Sequence, residues 1–413
     1  SASSSVPLSC CVATAMEGTR VPWTSEGLFY MSTFGLLCGL PWIYHIYRRN
    51  AMGHKQDHSN RIRHFRGGLP PVFPNGWIPI LESSKLEKNK VKSISAIGME
   101  LVAFRTQDNV PHVMDAYCPH LGAHLGTMGR VTGDCIECPF HGWRFRAEDG
   151  VCTHVPYASK VPEFAKVKTW LCRELLGFIF VWHHAECEAP SWEVEDQPEI
   201  SSGAWIQTSR FERRVLCHVQ EISENGADIG HLNAIHKPST FLSTEEFARD
   251  AGQSWKGRLM SYRFDAVWSS QGTTARTDLT IYPSVMGREI KQFVTKGYFS
   301  ALGPALLVFR AKTVFGRFIA VMAVTPMGPL EQRLIHLTFT EPRMPWIMRK
   351  FFELGNKRMM ERDIIVWNKK IRLRNPLLVK EEYPITAFRK WYSQFYSLHS
   401  PTCKDVMDNT MTW

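Results

Sequence analysis

Two short segments constrain this 413-residue chain more than anything else in it: Cys118-Pro119-His120 and, after 17 intervening residues, Cys138-Pro139-Phe140-His141. Each places one cysteine and one histidine in a loop rich in Gly and Pro, so each acts as a two-donor clip. Two thiolates on one iron and two imidazoles on the other hold a [2Fe-2S] cluster, and the neutral imidazoles raise its potential above that of all-cysteine clusters. Four donors of this kind can also hold structural zinc. Zinc fingers, however, group the cysteines and then the histidines, whereas each clip here mixes the two. Cys135 reads as a packed bystander, because Cys138 already pairs with His141 in a clip that mirrors the first. His124 stays outside the set.

A second constellation runs Glu224-Asn225-Gly226-Ala227-Asp228-Ile229-Gly230-His231 and continues to His236. Two histidines and a carboxylate on one face of an iron leave positions open for dioxygen, the facial triad of non-haem Fe(II) oxygenases. His231 and His236 are the imidazole candidates. Their spacing of five sets them about 140° apart on an ideal helix, so the helix must deform or end between them. Lys237-Pro238 gives it a reason to end. The carboxylate comes from elsewhere. Met360, Asp363, Ile364 and Trp367 recur at i, i+3, i+4 and i+7, which puts Asp363 in an apolar stripe where an unpaired acid is costly and a metal is a sufficient partner. An ion pair with Arg362 or a lysine would serve as well. Asp228 could ligate iron, but it better suits a role behind the ligands, accepting a hydrogen bond from an imidazole and coupling it to a cluster histidine. Asn225 is a polar neighbour of the same group.

The rest of the chain sorts into segments. Residues 1–24 are rich in Ser, Thr and Ala and read as a disordered lead. Residues 27–47 carry no Asp, Glu, Lys or Arg, and about 20 such residues can cross a bilayer as a helix. Trp42, Tyr44 and Tyr47 resemble an interfacial belt, and Arg48-Arg49 after it place the body in the cytosol by the positive-inside rule. A buried soluble helix or a signal peptide would also fit, although a signal peptide carries its charge before the apolar run. Residues 48–74 are a basic, then Gly/Pro-rich linker. Short strand-like runs fill 75–185, including one from Leu175 to Trp182 and a hairpin around Asp149-Gly150. Residues 200–396 mix a helical stretch near Ile222 to Ile235, strand runs such as ALLVF, FIAVMAV and LIHLTFT, and a long helix from about Pro345 to Arg374; 397–413 is a tail. The expected fold is α+β: an N-terminal membrane helix, an all-β cluster domain, then an α+β domain with the mononuclear iron.

Charge decides little. The formal net charge of +10 suits an anionic membrane or an acidic protein, but no run of five or more Lys/Arg and no nucleic-acid module appears, so nucleic acid is not an expected partner. Eleven cysteines without regular spacing do not make a secreted disulfide framework and point to a reducing compartment.

Taken together, CPH, CPFHGW, ENGADIGHLNAIH and RDIIVWNKKIRLRNPLL make the chain resemble the Rieske oxygenase family from about Trp77 to Tyr396. The resemblance implies a Rieske domain followed by a helix-grip catalytic domain. Within the family, the segments from Asp363 to Trp367 and from Asn375 to Leu378 resemble ketosteroid 9α-hydroxylases, and the whole chain resembles the Neverland-type cholesterol 7-desaturases. That implies loss of the C7 and C8 hydrogens of a sterol, Asp363 as the third iron ligand, and Asp228 as the bridge between the two metal centres. It also implies a ring of subunits, usually a homotrimer, in which Asp228 meets a cluster histidine of the adjacent chain. No dinucleotide fingerprint is present, so NAD(P)H would act through a separate reductase or ferredoxin, with O2 as co-substrate. An apolar cavity is needed, and Leu306 to Phe309 and Phe318 to Val324 could line it or form plain core. Membrane lipid is an expected neighbour, and the endoplasmic reticulum the expected site. Two alternatives stay open: an oxygenase hydroxylating a different steroid or apolar substrate, and a Rieske electron carrier with no oxygenase site.

Overall fold

The computed structural model describes residues 68–410. The expected lead, the 27–47 anchor and most of the linker therefore lie outside the described residues. Among those described, no helix is long and apolar enough to cross a membrane.

The first half is built from strands, with one short 3-10 turn at Ser83–Lys85. They are β1 (Gly76–Glu82), β2 (Val91–Ala96), β3 (Met99–Arg105), β4 (Pro111–Asp115), β5 (Arg130–Thr132), β6 (Cys135–Glu137), β7 (Arg144–Arg146), β8 (Cys152–His154), β9 (Thr169–Trp170), β10 (Cys172–Leu175) and β11 (Phe178–His183). Three antiparallel sheets result, with orders β1-β11-β10, β2-β3-β4-β9 and β5-β6-β7-β8. The hairpin at Asp149-Gly150 forms between β7 and β8. Gly150 has φ +75°, and a Cβ there would stand 1.9 Å from the carbonyl oxygen of Val167, so no larger residue fits. The run from Leu175 to Trp182 is two strands instead of one. Leu176 and Gly177 both take positive φ and reverse the chain between β10 and β11, a turn hidden inside an apolar run.

The second half centres on one antiparallel sheet of β12 (Ile206–Val215), β13 (Met260–Gln271), β14 (Thr274–Val285), β15 (Arg288–Glu289), β16 (Thr295–Leu302), β17 (Leu306–Thr313), β18 (Gly316–Gly328) and β19 (Glu331–Thr340). Its order is β12-β19-β18-β17-β16-β14-β13, with β15 beside β14. The unbroken apolar runs of β17 and β18 follow from burial on both faces. Leu306, Val308, Ile319, Val321 and Ala323 pack against Trp77, Phe178, Phe180 and Trp182 of the first half. Leu307, Phe309, Ala320 and Met322 point the other way, into a cavity. The buried Glu82 of β1 receives both Nε and a terminal nitrogen of Arg210 in β12, at 2.6 and 2.5 Å, across the same joint.

Three expectations change. The long helix runs from Trp346 to Trp367 and stops short of Arg374. Asn368 closes it: its amide donates to Ile364 and its side-chain oxygen accepts from Leu216 of the β12 end, while Lys370 and Arg372 turn away to Glu221 and Glu224. The stretch near Ile222 to Ile235 is two helices, Val219–Glu224 and Ile229–Ile235, broken at Asn225 to Asp228. The tail contains a helix, Cys403–Thr410, and Cys403 is buried beside Val72, Ile78 and Ile94 of the first half.

Candidate active site

The two clip loops share one backbone design. Cys118 donates its amide to Ala123 and accepts from Gly122; Cys138 donates to Trp143 and accepts from Gly142. Gly122 and Gly142 sit at φ +72° and +71°, the left-handed position that closes each loop. The frames match residue for residue, yet histidine stands two places after cysteine in one and three in the other. Cys118 and Cys138 are buried, and burial, with Cys138 as neighbour, pushes the Cys118 thiol up to about 12. The half-buried rings of His120 and His141 lie 4.7 Å apart at 72°, and Trp143 stacks on His120 at 4.6 Å. A single tetrahedral ion needs its donors packed together, and among the described residues no three of these four bring ligand atoms within 4.8 Å of one another. Buried sulfurs on one side and imidazoles on the other fit the extended [2Fe-2S] group. Cys135 is buried, with its sulfur against Asp134 and Thr153.

The second constellation does converge. Donor atoms of His231, His236 and Asp363 lie within 4.8 Å of one another, the one such group among the described residues. The break at Asn225 to Asp228 starts the helix that carries His231, and that helix ends at Ile235, so His236 leaves it as the cap residue and swings back. The two rings stand 5.1 Å apart, nearly perpendicular at 79°. His231 Nδ1 donates to the backbone carbonyl of Asp228, which leaves Nε2 for the centre, while the Asp228 carboxylate accepts from the His231 amide at 3.2 Å as the helix cap. Within one chain, then, the Asp228 backbone and not its carboxylate orients this imidazole. Burial holds the His231 pKa below its usual value, although the Asp363 carboxylate opposes that.

Asp363 is buried, and its Oδ1 stands 3.2 Å from His236 Nε2 without forming a hydrogen bond. Arg362, the expected rival partner, points elsewhere. It is 1 % exposed and donates to the carbonyls of Ile235, Pro238 and Ser239, pinning the segment that follows His236. A buried carboxylate with one oxygen left without a hydrogen bond, beside two imidazoles, fits a divalent iron, for which two histidines and one carboxylate are the usual oxygen-activating set. Asn225 accepts from Trp367 Nε1 at 3.2 Å and closes the site toward the end of the long helix.

The centre opens into a cavity of about 980 Å³, mouth included, walled by Leu279, Ile281, Phe299, Leu307, Phe309, Met322 and the helix residues Met359 and Met360. Its wall is apolar apart from a few groups, the make-up of a site for an apolar small molecule. His336 and Asn356 are two of those groups; nothing in their sequence neighbourhood marked them, because a lone histidine in a strand and a lone asparagine in a helix carry no spacing signal.

Residues 76–165 match the Rieske [2Fe-2S] domain, and residues 181–396 match the 3-ketosteroid 9α-hydroxylase C-terminal domain. The chain belongs to the Rieske oxygenase family. This oxygenase is 38 % identical to a cholesterol 7-desaturase of Xenopus laevis over 83 % of its own length and 76 % of that chain. It is 35 % identical to the cholesterol 7-desaturase of Caenorhabditis elegans, over 89 % and 86 % of the two chains. Among solved structures, the oxygenase resembles Pseudomonas putida NdmA with caffeine at a TM-score of 0.59, 18 % identity, and 80 % and 93 % coverage, a likeness of fold.

Proposed function

We propose that this Rieske oxygenase is a cholesterol 7-desaturase, which takes cholesterol, O2, NAD(P)H and a proton to 7-dehydrocholesterol, two waters and NAD(P)+. The observation that carries the reading is the His231–His236–Asp363 group facing an apolar cavity, in a chain whose relatives of more than a third identity bear that name. Cys118 and Cys138 would hold one iron of the cluster and His120 and His141 the other; His231, His236 and Asp363 would hold the mononuclear Fe(II). When bound, the cluster supplies single electrons and the mononuclear iron activates dioxygen to remove hydrogen from an unactivated C–H bond. The chain's residues do the positioning. The Asp228 carbonyl fixes the His231 tautomer, and Arg362 fixes the segment behind His236. Phe299, Leu307, Phe309 and Met322 keep water from the reacting carbon and hold a rigid apolar ring system against the centre.

In the same reading a separate reductase or ferredoxin delivers electrons from NAD(P)H. The chain works as a ring of copies, in which Asp228 and Asn225 lie where one copy's mononuclear centre meets the next copy's cluster. The charge-free residues 27–47, followed by Arg48-Arg49, support a single anchor in the endoplasmic reticulum with the body in the cytosol, and they suit a substrate nearly insoluble in water. Residues 75–185 and 200–396 are then the Rieske and catalytic domains. The match of 181–396 to the ketosteroid hydroxylase domain favours one second reading, hydroxylation of another steroid.

Cells expressing the chain are expected to convert cholesterol to 7-dehydrocholesterol, read by mass spectrometry, and the purified protein to hold about three irons. Asp363→Ala is expected to make none of the diene and to hold about two. A native chain with three irons and a hydroxylated steroid as product would move the assignment to the second reading. Two irons in the native chain and no product at all would leave only the electron carrier.

A further inference from the structure

Four polar side chains outside the proposed iron ligands reach the cavity wall: Asn225, Thr277, His336 and Asn356. The first two are already occupied. Asn225 accepts from Trp367 Nε1, and Thr277 donates to the carbonyl of Gly226 at 2.5 Å. The other two are not. His336 is 5 % exposed, its ring is held flat on Phe211 at 4.7 Å, and its Nδ1 is buried with no hydrogen-bond partner. Asn356 presents an Nδ2 that is likewise buried and unpartnered. Buried polar groups in a folded protein nearly always find a partner, and two left open at the lining of one apolar cavity, His336 on β19 and Asn356 on the long helix, suit a polar ligand atom.

Their placement suits a ligand lying along the long helix. Asn356, Met360, Asp363 and Trp367 fall at i, i+4, i+7 and i+11, so they share one face, and Asn356 stands two turns, roughly 10 Å, before Asp363. His336 sits on β19, where it pairs across the sheet with Met322 and Phe211. Burial holds its pKa down to about 4, so the ring is neutral near pH 7, with one nitrogen to donate and one to accept. A hydroxyl can do the reverse of both. Asn356 adds a donor, and no charged group is needed on the ligand.

We propose that His336 and Asn356 form a hydroxyl-binding subsite that takes the single alcohol of the sterol and thereby sets which ring carbon faces the centre. This rests on the cavity being a sterol site, as proposed above. It makes the chain selective for free sterols: an esterified sterol has no hydroxyl to donate, and a ketone can only accept.

The test compares cholesterol with cholest-5-ene, which lacks the hydroxyl, on the full chain in detergent micelles, by equilibrium binding and by turnover. Four proteins are used: native, His336→Phe, which keeps the stack on Phe211, Asn356→Leu, and His336→Gln as the rescue. The native chain is expected to bind cholesterol at least tenfold more tightly, and both variants to lose most of that preference while binding cholest-5-ene as the native chain does. His336→Gln, which keeps a donor and an acceptor, is expected to recover part of it. Variants that retain the native preference overturn the subsite and leave the desaturase reading intact. A native chain that binds neither compound overturns both. A variant that loses cholest-5-ene as well shows a structural role for that residue and also counts against the subsite.

Discussion

Arg362 carries a guanidinium into the interior with no carboxylate against it; burial pulls its pKa down to about 10, which still leaves it charged near pH 7. Carbonyl oxygens replace water around it, those of Pro238 at 2.9 Å and Ser239 at 2.6 Å being the closest. These carbonyls belong to the segment that leaves His236, so the arginine holds one proposed ligand while the next residue, Asp363, supplies another. Arg362→Met would take the donor from the Pro238 carbonyl and leave the Ser239 carbonyl only the Leu242 amide. We expect it to lower stability by about 2–4 kcal/mol in denaturant unfolding and to weaken iron retention about tenfold, with Asp363 still in place. Lysine at this position is expected to recover little, since its single nitrogen cannot stand at both places that the two terminal nitrogens of the arginine occupy, one against Pro238 and one against Ser239.

At the scale of elements, the two clip loops make a controlled pair. Alanine at Gly122 meets no atom within 4 Å and bears only the strain of positive φ, about 1–2 kcal/mol. At Gly142 the same strain is joined by a Cβ placed 2.9 Å from Pro156 Cγ. Gly142→Ala should therefore unfold at a lower temperature than Gly122→Ala and lose more of its cluster, read as iron content and visible absorbance. These loops were legible in the sequence because Cys, Pro, Gly and His at short fixed spacing leave few alternatives. The convergence of His231, His236 and Asp363 was partly legible: Lys237-Pro238 ends a helix and Asp363 breaks an apolar stripe, where an ion pair with Arg362 would have served as well and only the family resemblance chose between them. Turns and ends fixed by distant contacts were hidden. The long helix stops at Trp367 because Asn368 answers an amide of Leu216, about 150 residues away, and the reversal at Leu176-Gly177 carries a leucine where turn chemistry favours Asn or Gly. The role of Asp228 was half visible; its position as a helix cap depends on a break between two helices that periodicity alone runs together.

At the scale of the molecule, the first and second halves share a core. Trp77, Phe178 and Phe180 pack with Leu306, Val308 and Ile319, and Glu82 is 3 % exposed against Arg210 across the same joint. Removing Arg210 would strand a buried carboxylate. Such a loss costs about 3–5 kcal/mol when both partners are buried, and less here because the arginine side chain is 31 % exposed. We expect Arg210→Ala to lower stability by roughly 2–3 kcal/mol and, since one core spans both halves, to shift a single unfolding transition and leave it single. Two separated transitions in the variant would show halves that fold independently. The strands behind that joint have a further consequence. In β17 and β18 the residues that line the cavity alternate with the residues that join the halves: Leu307 and Phe309 against Leu306 and Val308, Ala320 and Met322 against Ile319 and Val321. Substrate range and assembly are thus encoded on opposite parities of the same strands, so a lineage can reshape its pocket by changing every second residue while the seam between its halves is inherited untouched.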